Sequence, residues 1–148
     1  MSKMEVRIWY GPDGKGKLVR DGLDAKLRKD GREVKSRKLD RKELPRAILD
    51  KIPEDLDELV EAFNSGDIRE EMMELADLLA LIDSYIKVRG FDLKELEKVK
   101  ERIVAEKGAY LKGTFIEYCD MGPEVKDYEF WLAHFRKNSD RYIEEELL

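Results

Sequence analysis

The segment from Ile68 to Val88 constrains the fold more than any other part of the sequence. On a helical wheel Leu75, Leu78, Leu79, Ile82 and Ile86 share one face, while Leu81, Tyr85 and Val88 share a second, about a quarter-turn or more away. A helix that is apolar on two sides must be covered on two sides, so it belongs in the middle of a bundle. Ahead of it Leu44, Ile48, Ile52, Leu56, Leu59, Val60 and Phe63 recur at three-to-four spacing. Pro45 suits a first helical turn, whereas Pro53 lacks a backbone donor and is expected to kink or break the helix beside Ile52. Asn64-Ser-Gly-Asp67 ends that helix and caps the next. After Gly90, Asp92 is placed to cap, Glu95 to complete a capping box, and Gly108 to stop a helix at Lys107. Three substantial helices, one of them doubly apolar, are too few to enclose a core alone. The expected fold is therefore all-α: an antiparallel helical bundle completed by oligomerisation, as a homodimer or homotetramer.

Flanking segments extend this bundle within one expected domain, 1–148. Residues 1–42 read as an N-terminal strand, loop and basic arm, 43–113 as the acidic helical core, and 114–148 as a C-terminal extension. Glu5 to Tyr10 (EVRIWY) alternates like a short strand, and Gly11-Pro-Asp-Gly-Lys-Gly16 is dense in turn residues. Lys17 to Leu27 is weakly helical despite Gly22, Lys29-Asp-Gly31 turns, and Glu33 to Leu39 reads as another short strand. In the extension, Glu124 to Arg136 lines Tyr128, Trp131, Leu132 and Phe135 along one helical face. An aromatic stripe at that spacing is usually core, so packing is preferred for Trp131 over stacking on a base, and a structural role for the single histidine, His134.

Composition narrows the chemistry. Charged residues make up 43% of the chain, and the longest unbroken apolar run, Leu78 to Ile82, has five residues. That is far short of the roughly 20 needed to span a bilayer. No apolar stretch marks a signal peptide at the amino terminus, so a cytoplasmic location is expected. Cys119 and His134 are the sole cysteine and histidine, which leaves carboxylates as the available ligands and a hard cation as the metal they suit. The net charge of −5 conceals an asymmetry: Gly14 to Lys42 carries +7 and Glu43 to Leu148 carries −12. A basic arm favours phosphate, and an acidic body favours divalent cations.

The acids that matter lie on the two central helices. Glu74 and Asp77, three residues apart, fall among Leu81, Tyr85 and Val88 rather than on the polar edge marked by Asp83, Ser84 and Lys87. Burying an unpaired carboxylate costs several kcal/mol, so such a pair calls for a basic partner, a proton or a cation. Asp55 and Glu58 repeat the spacing at the border of the Leu56, Leu59, Val60 and Phe63 stripe. If the two helices are antiparallel neighbours, four carboxylates converge in a manner suited to Mg²⁺, which shares its coordination among carboxylates, water and phosphates. Pairing with the abundant Lys and Arg would satisfy the same acids without a metal.

At this point the sequence resembles a known family. Lys51-Ile-Pro-Glu54-Asp55-Leu-Asp-Glu58, followed by Glu74-Leu-Ala-Asp77-Leu-Leu, is similar to the ExxE and ExxD pair of the all-α nucleoside triphosphate pyrophosphohydrolases, the MazG-like and phosphoribosyl-ATP pyrophosphohydrolase-like proteins. Lys17-Leu-Val-Arg-Asp21 resembles the KLVRD opening of many members, and Glu106 to Gly113 resembles a closing Lys/Gly/aromatic stretch. The resemblance implies a Mg²⁺-dependent enzyme, with Mn²⁺ as an alternative, that cleaves a nucleotide between its α and β phosphates. It implies metal ligation by Asp55, Glu58, Glu74 and Asp77, with Glu54 orienting or deprotonating water. Lys17, Arg20, Lys51, Lys107 and Lys112 are the candidate phosphate contacts. Asp55 stands where the pattern usually has Glu, and Gly22 where Lys often follows KLVRD.

Two other readings remain open at this stage. One is a helical oligomer that binds nucleotide as a sensor or binds a partner protein without catalysis. The other is nucleic-acid binding through the basic arm, against which stands the lack of interleaved aromatics for base stacking.

Overall fold

The computed structural model describes residues 2–147. Its contacts divide the chain into two units, Met1–Glu106 and Lys107–Leu148. Five helices form: α1 (Leu23–Lys29), α2 (Glu43–Ser65), α3 (Ile68–Arg89), α4 (Leu93–Lys107) and α5 (Tyr128–Lys137). The all-α class is as expected. No strand is present among the described residues, and Glu5–Tyr10 and Glu33–Leu39, both read as strands, stay irregular. A strand is stable only with a neighbour to pair with, and neither segment meets one.

Helix ends follow local chemistry. Gly66 closes α2 in the left-handed region at φ 75°, and Asp67 opens α3 by accepting from the Arg69 and Glu70 amides at 3.0 and 3.2 Å. The two-residue connection folds α3 back on α2, and this helical hairpin is the principal packing of the first unit. Asp92 accepts from the Glu95 amide at 3.0 Å, whereas the Glu95 carboxylate pairs with Lys98 rather than closing a box. A full reciprocal box forms elsewhere, before α2. Asp40 accepts from the Glu43 amide at 2.9 Å and Glu43 accepts from the Asp40 amide at 3.1 Å.

Pro53 neither breaks α2 nor divides it into two segments: the helix runs unbroken for 23 residues. The carbonyl deprived of its donor belongs to Leu49, which is exposed, as is Pro53 itself, so solvent can take the missing partner's place. Within this single chain Leu56, Val60 and Phe63 of the apolar stripe are exposed, while Ile48, Asp55 and Ala62 are the buried residues of α2. Spaced by seven, these three lie along one line of the helix.

In the second unit, α5 begins at Tyr128, four residues later than the pattern suggested, after turns at Gly122–Val125 and Val125–Tyr128. Trp131 stacks on Phe135 with centroids 6.1 Å apart, and Tyr142 returns to meet Phe135 at 4.9 Å and His134 at 6.1 Å. An Arg136–Glu144 pair at 2.8 Å fastens the return. Trp131 and His134 are thus elements of a small aromatic cluster.

Candidate active site

α2 and α3 present their acids to each other. Asp55, only 6% exposed, is held by Lys51 one turn earlier, Nζ to Oδ1 3.2 Å. Glu54 accepts from Lys17 Nζ at 2.5 Å and lies 3.5 Å from Lys51. That hydrogen bond to Lys17 holds the Glu54 carboxyl below the ordinary Glu range and lifts the Lys17 ammonium above its own. Arg20 pairs with Asp77 of α3. Through Lys17 and Arg20, separated from their partners by 37 and 57 residues, the stretch before α1 is tied to both central helices.

Glu74 has no such partner. Its Oε2 is buried without a hydrogen bond. Loss of water pushes its carboxyl above the ordinary Glu range, and neighbouring Glu58 pushes the same way, by its charge and by accepting a hydrogen bond from the protonated form; Asp77 and Glu70 add to the effect. Glu58, Glu74 and Asp77 thus form a patch of mutual repulsion between two helices, relieved at one end by Arg20.

A cavity of about 910 Å³ adjoins this patch. Glu54, Asp55, Glu58 and Asp77 line it together with Lys17, Arg20 and Lys51, so seven of the ten residues singled out from the sequence meet around one space. Glu74 lines a smaller recess of about 250 Å³ that shares Glu58 with the first. Lys107 and Lys112 belong to the second unit and line neither space. Sequence reasoning overlooked several liners. Ser84 and Lys87, assigned to a polar edge, border the cavity beside Leu81 and Val88. They stand seven and ten residues after Asp77, a spacing that returns to the same helix face. Trp9 and Tyr10 also line it, and no local periodicity points to them.

The donors suit a hard divalent cation in kind, being all oxygen, with one buried oxygen unpartnered and like charges crowded around it. Among the described residues, however, no three His, Cys, Asp or Glu side chains already stand as a ligating group. Lys51, Lys17 and Arg20 occupy Asp55, Glu54 and Asp77 instead. A cation would take its place by displacing protein cations, an exchange between groups of the same sign.

These positions fall inside a recognised sequence pattern. The model of the family described as Phosphoribosyl-ATP pyrophosphohydrolase matches residues 21–103. The chain belongs to this family. The match spans α1 to α3 and most of α4, including Lys51, Glu54, Asp55, Glu58, Glu74 and Asp77. It leaves out Lys17 and Arg20, along with Trp9 and Tyr10. No curated protein and no solved structure matches the chain. Membership supports a nucleotide pyrophosphohydrolase activity in general, a hydrolase reaction on an acid anhydride. Among the described residues no helix is long and apolar enough to cross a membrane.

Proposed function

We propose that this chain is a divalent-cation-dependent pyrophosphohydrolase that hydrolyses a nucleotide between its α and β phosphates, releasing a monophosphate and pyrophosphate. The observation that carries the reading is the buried, unpartnered Oε2 of Glu74 set against Glu58 and Asp77, inside the family match and beside a cavity bearing three cationic side chains. Asp55, Glu58, Glu74 and Asp77 would hold Mg²⁺ or Mn²⁺, which supplies neutralisation of phosphate charge and acidification of bound water. Which nucleotide is taken is a separate matter from the name of the family.

The chain's own residues have definable tasks. Lys17, Arg20 and Lys51 offer positive charge to phosphate oxygens, and each is now engaged by a carboxylate it would surrender to do so. When Lys17 turns to phosphate, Glu54 loses the hydrogen bond that depresses its basicity and becomes a better acceptor for the proton of an attacking water. The water oxygen bonds to phosphorus, the bridging P–O bond breaks, pyrophosphate departs and Glu54 retains the proton. Exposed Leu56, Val60 and Phe63 on α2 and Leu75, Leu79 and Ile82 on α3 support assembly as a homodimer or homotetramer that covers them.

The test is pyrophosphate release from a panel of nucleoside triphosphates with Mg²⁺ or Mn²⁺, beside a Glu74→Gln, Asp77→Asn double variant. Cation-dependent release that vanishes in the variant is expected. A folded wild type that releases none would overturn the reading. The ion-paired state of Glu54, Asp55 and Asp77 favours one alternative, a nucleotide sensor, for which nucleotide raises Tm while no product accumulates.

A further inference from the structure

The cavity has two unlike walls. One is the charged face of α2 and α3, which lies within the family match; the other is the stretch from Ile8 to Arg20, which precedes it. On that second wall Trp9 and Tyr10 line the space; Trp9 is 69% exposed, while Tyr10, at 38%, is largely covered. The Arg7 guanidinium lies 5.8 Å from the Trp9 centroid, a planar cation over the ring, and a flat ligand would stack beside it or take its place.

Their placement is built. Gly11, Pro12, Asp13 and Gly14 form a turn in which the Gly14 amide donates to the Gly11 carbonyl at 3.1 Å, with Pro at the position where its fixed φ suits the bend. The Gly16 amide then donates back to the Tyr10 carbonyl at 2.8 Å, and Asp13 accepts from the Lys15 amide at 2.9 Å. Gly11 has φ 85°, and a Cβ there would strike the Gly16 carbonyl, so only glycine closes this loop. A Cβ at Gly14 would sit 3.6 Å from that of Trp9, which places the turn directly behind the tryptophan. Lys17 and Arg20 then anchor the stretch on Glu54 and Asp77. One end of the segment thus meets the acids, while the other holds an aromatic pair on the border of the same space.

We infer that Trp9, with Tyr10 beside it, is the nucleobase platform of this site, so that the segment before the family match sets which nucleotide is held. This rests on the pyrophosphohydrolase reading and adds to it the residue that recognises the base. The division of labour has a physical logic. Phosphate is common to every nucleotide and is met by charge at Lys17, Arg20 and Lys51, whereas the base is the variable part and presents a flat π face that stacks on an indole.

The experiment compares full-length wild type, Trp9→Ala and Trp9→Phe. Calorimetry in Mg²⁺ measures binding of α,β-methylene analogues of purine and pyrimidine nucleoside triphosphates, and of inorganic tripolyphosphate as a base-free probe. For Trp9→Ala we expect about tenfold weaker binding of the best-bound nucleotide analogue, the low end of base–aromatic stacking, with tripolyphosphate binding unchanged. Trp9→Phe should recover most of the loss. In a Trp131→Phe background the analogue should quench Trp9 fluorescence and tripolyphosphate should not. Equal weakening of both probes would overturn the inference, making the segment a phosphate clamp, as would nucleotide binding that Trp9→Ala leaves intact. Wild type that binds tripolyphosphate but no nucleotide analogue would overturn the nucleotide reading itself, and this inference with it.

Discussion

α2 and α3 are neighbours of almost equal length, 23 and 22 residues, joined by Gly66 and Asp67, yet they use their surfaces differently. α2 buries Ile48, Asp55 and Ala62, while α3, the more apolar by pattern, buries none of its residues. Leu75, Leu79 and Ile82 stand 46%, 54% and 39% exposed. The inner face of α3, with Asp77, Leu81, Ser84 and Val88, is turned to the cavity instead. Within one hairpin, then, α2 supplies the buried residues, and α3 divides itself between a chemical face and an apolar face that stays exposed. Fully burying a Leu or Ile is worth about 1.5–3 kcal/mol, so covering what remains exposed of these three side chains favours assembly.

Several substitutions would break or sharpen this contrast. The largest effect is expected from Glu74→Gln with Asp77→Asn: a loss of about 10²–10³-fold or more in pyrophosphate release, with helical circular dichroism retained. A variant that unfolds instead would make the acid face of α3 structural. Next, Ile48→Ala should cost about 2–5 kcal/mol in urea unfolding, since it empties the most buried position on α2. Leu75→Asp with Leu79→Asp should act on mass rather than on local packing, shifting sedimentation toward the monomer. If those Asp variants sediment like wild type, the exposed face of α3 is not the one that assembles.

A smaller effect belongs to the joint between the helices. Asp67→Ala removes the acceptor of two amides and should cost about 1 kcal/mol. The smallest is a pH effect before α2. The Arg37 hydrogen bond, then the Asp40 amide, hold the Glu43 carboxyl below its ordinary value of 4.5. A carboxyl lower in the folded than in the unfolded chain stabilises fully above the ordinary value, and that contribution fades as pH falls through the depressed one. The Tm advantage of wild type over Glu43→Gln should therefore be present at pH 7 and shrink on acidification below about pH 4.5. An advantage that stays constant would assign it to packing.

The turn between the central helices and the pairing of Glu74 with Asp77 on one face were legible in the sequence because both depend on neighbours along the chain. Gly66, Asp67, Gly90 and Asp92 act on amides and carbonyls a few residues away, and Glu74 with Asp77 share a face through helical geometry alone. The Asp40–Glu43 box was equally local, and its D-x-x-E spacing was there to be read. The buried residues of α2 were less so, because Asp55 and Ala62 lie outside the apolar pattern that Ile48 shares with Leu56, Val60 and Phe63. Pro53 was misjudged because the cost of its missing donor depends on where the orphaned Leu49 carbonyl points.

By itself, then, the sequence determined that the chain is helical, where its central helices turn, and that Asp55 with Glu58 and Glu74 with Asp77 sit one helical turn apart on them. Only the tertiary structure decided that Lys17 reaches Glu54, that Arg20 reaches Asp77, and that Trp9 and Tyr10 line the same cavity. The reason is range: capping and helical spacing operate over three or four residues, whereas these contacts close loops of tens of residues, whose partners are chosen by the packing of α2 on α3 and leave no periodic trace in the sequence.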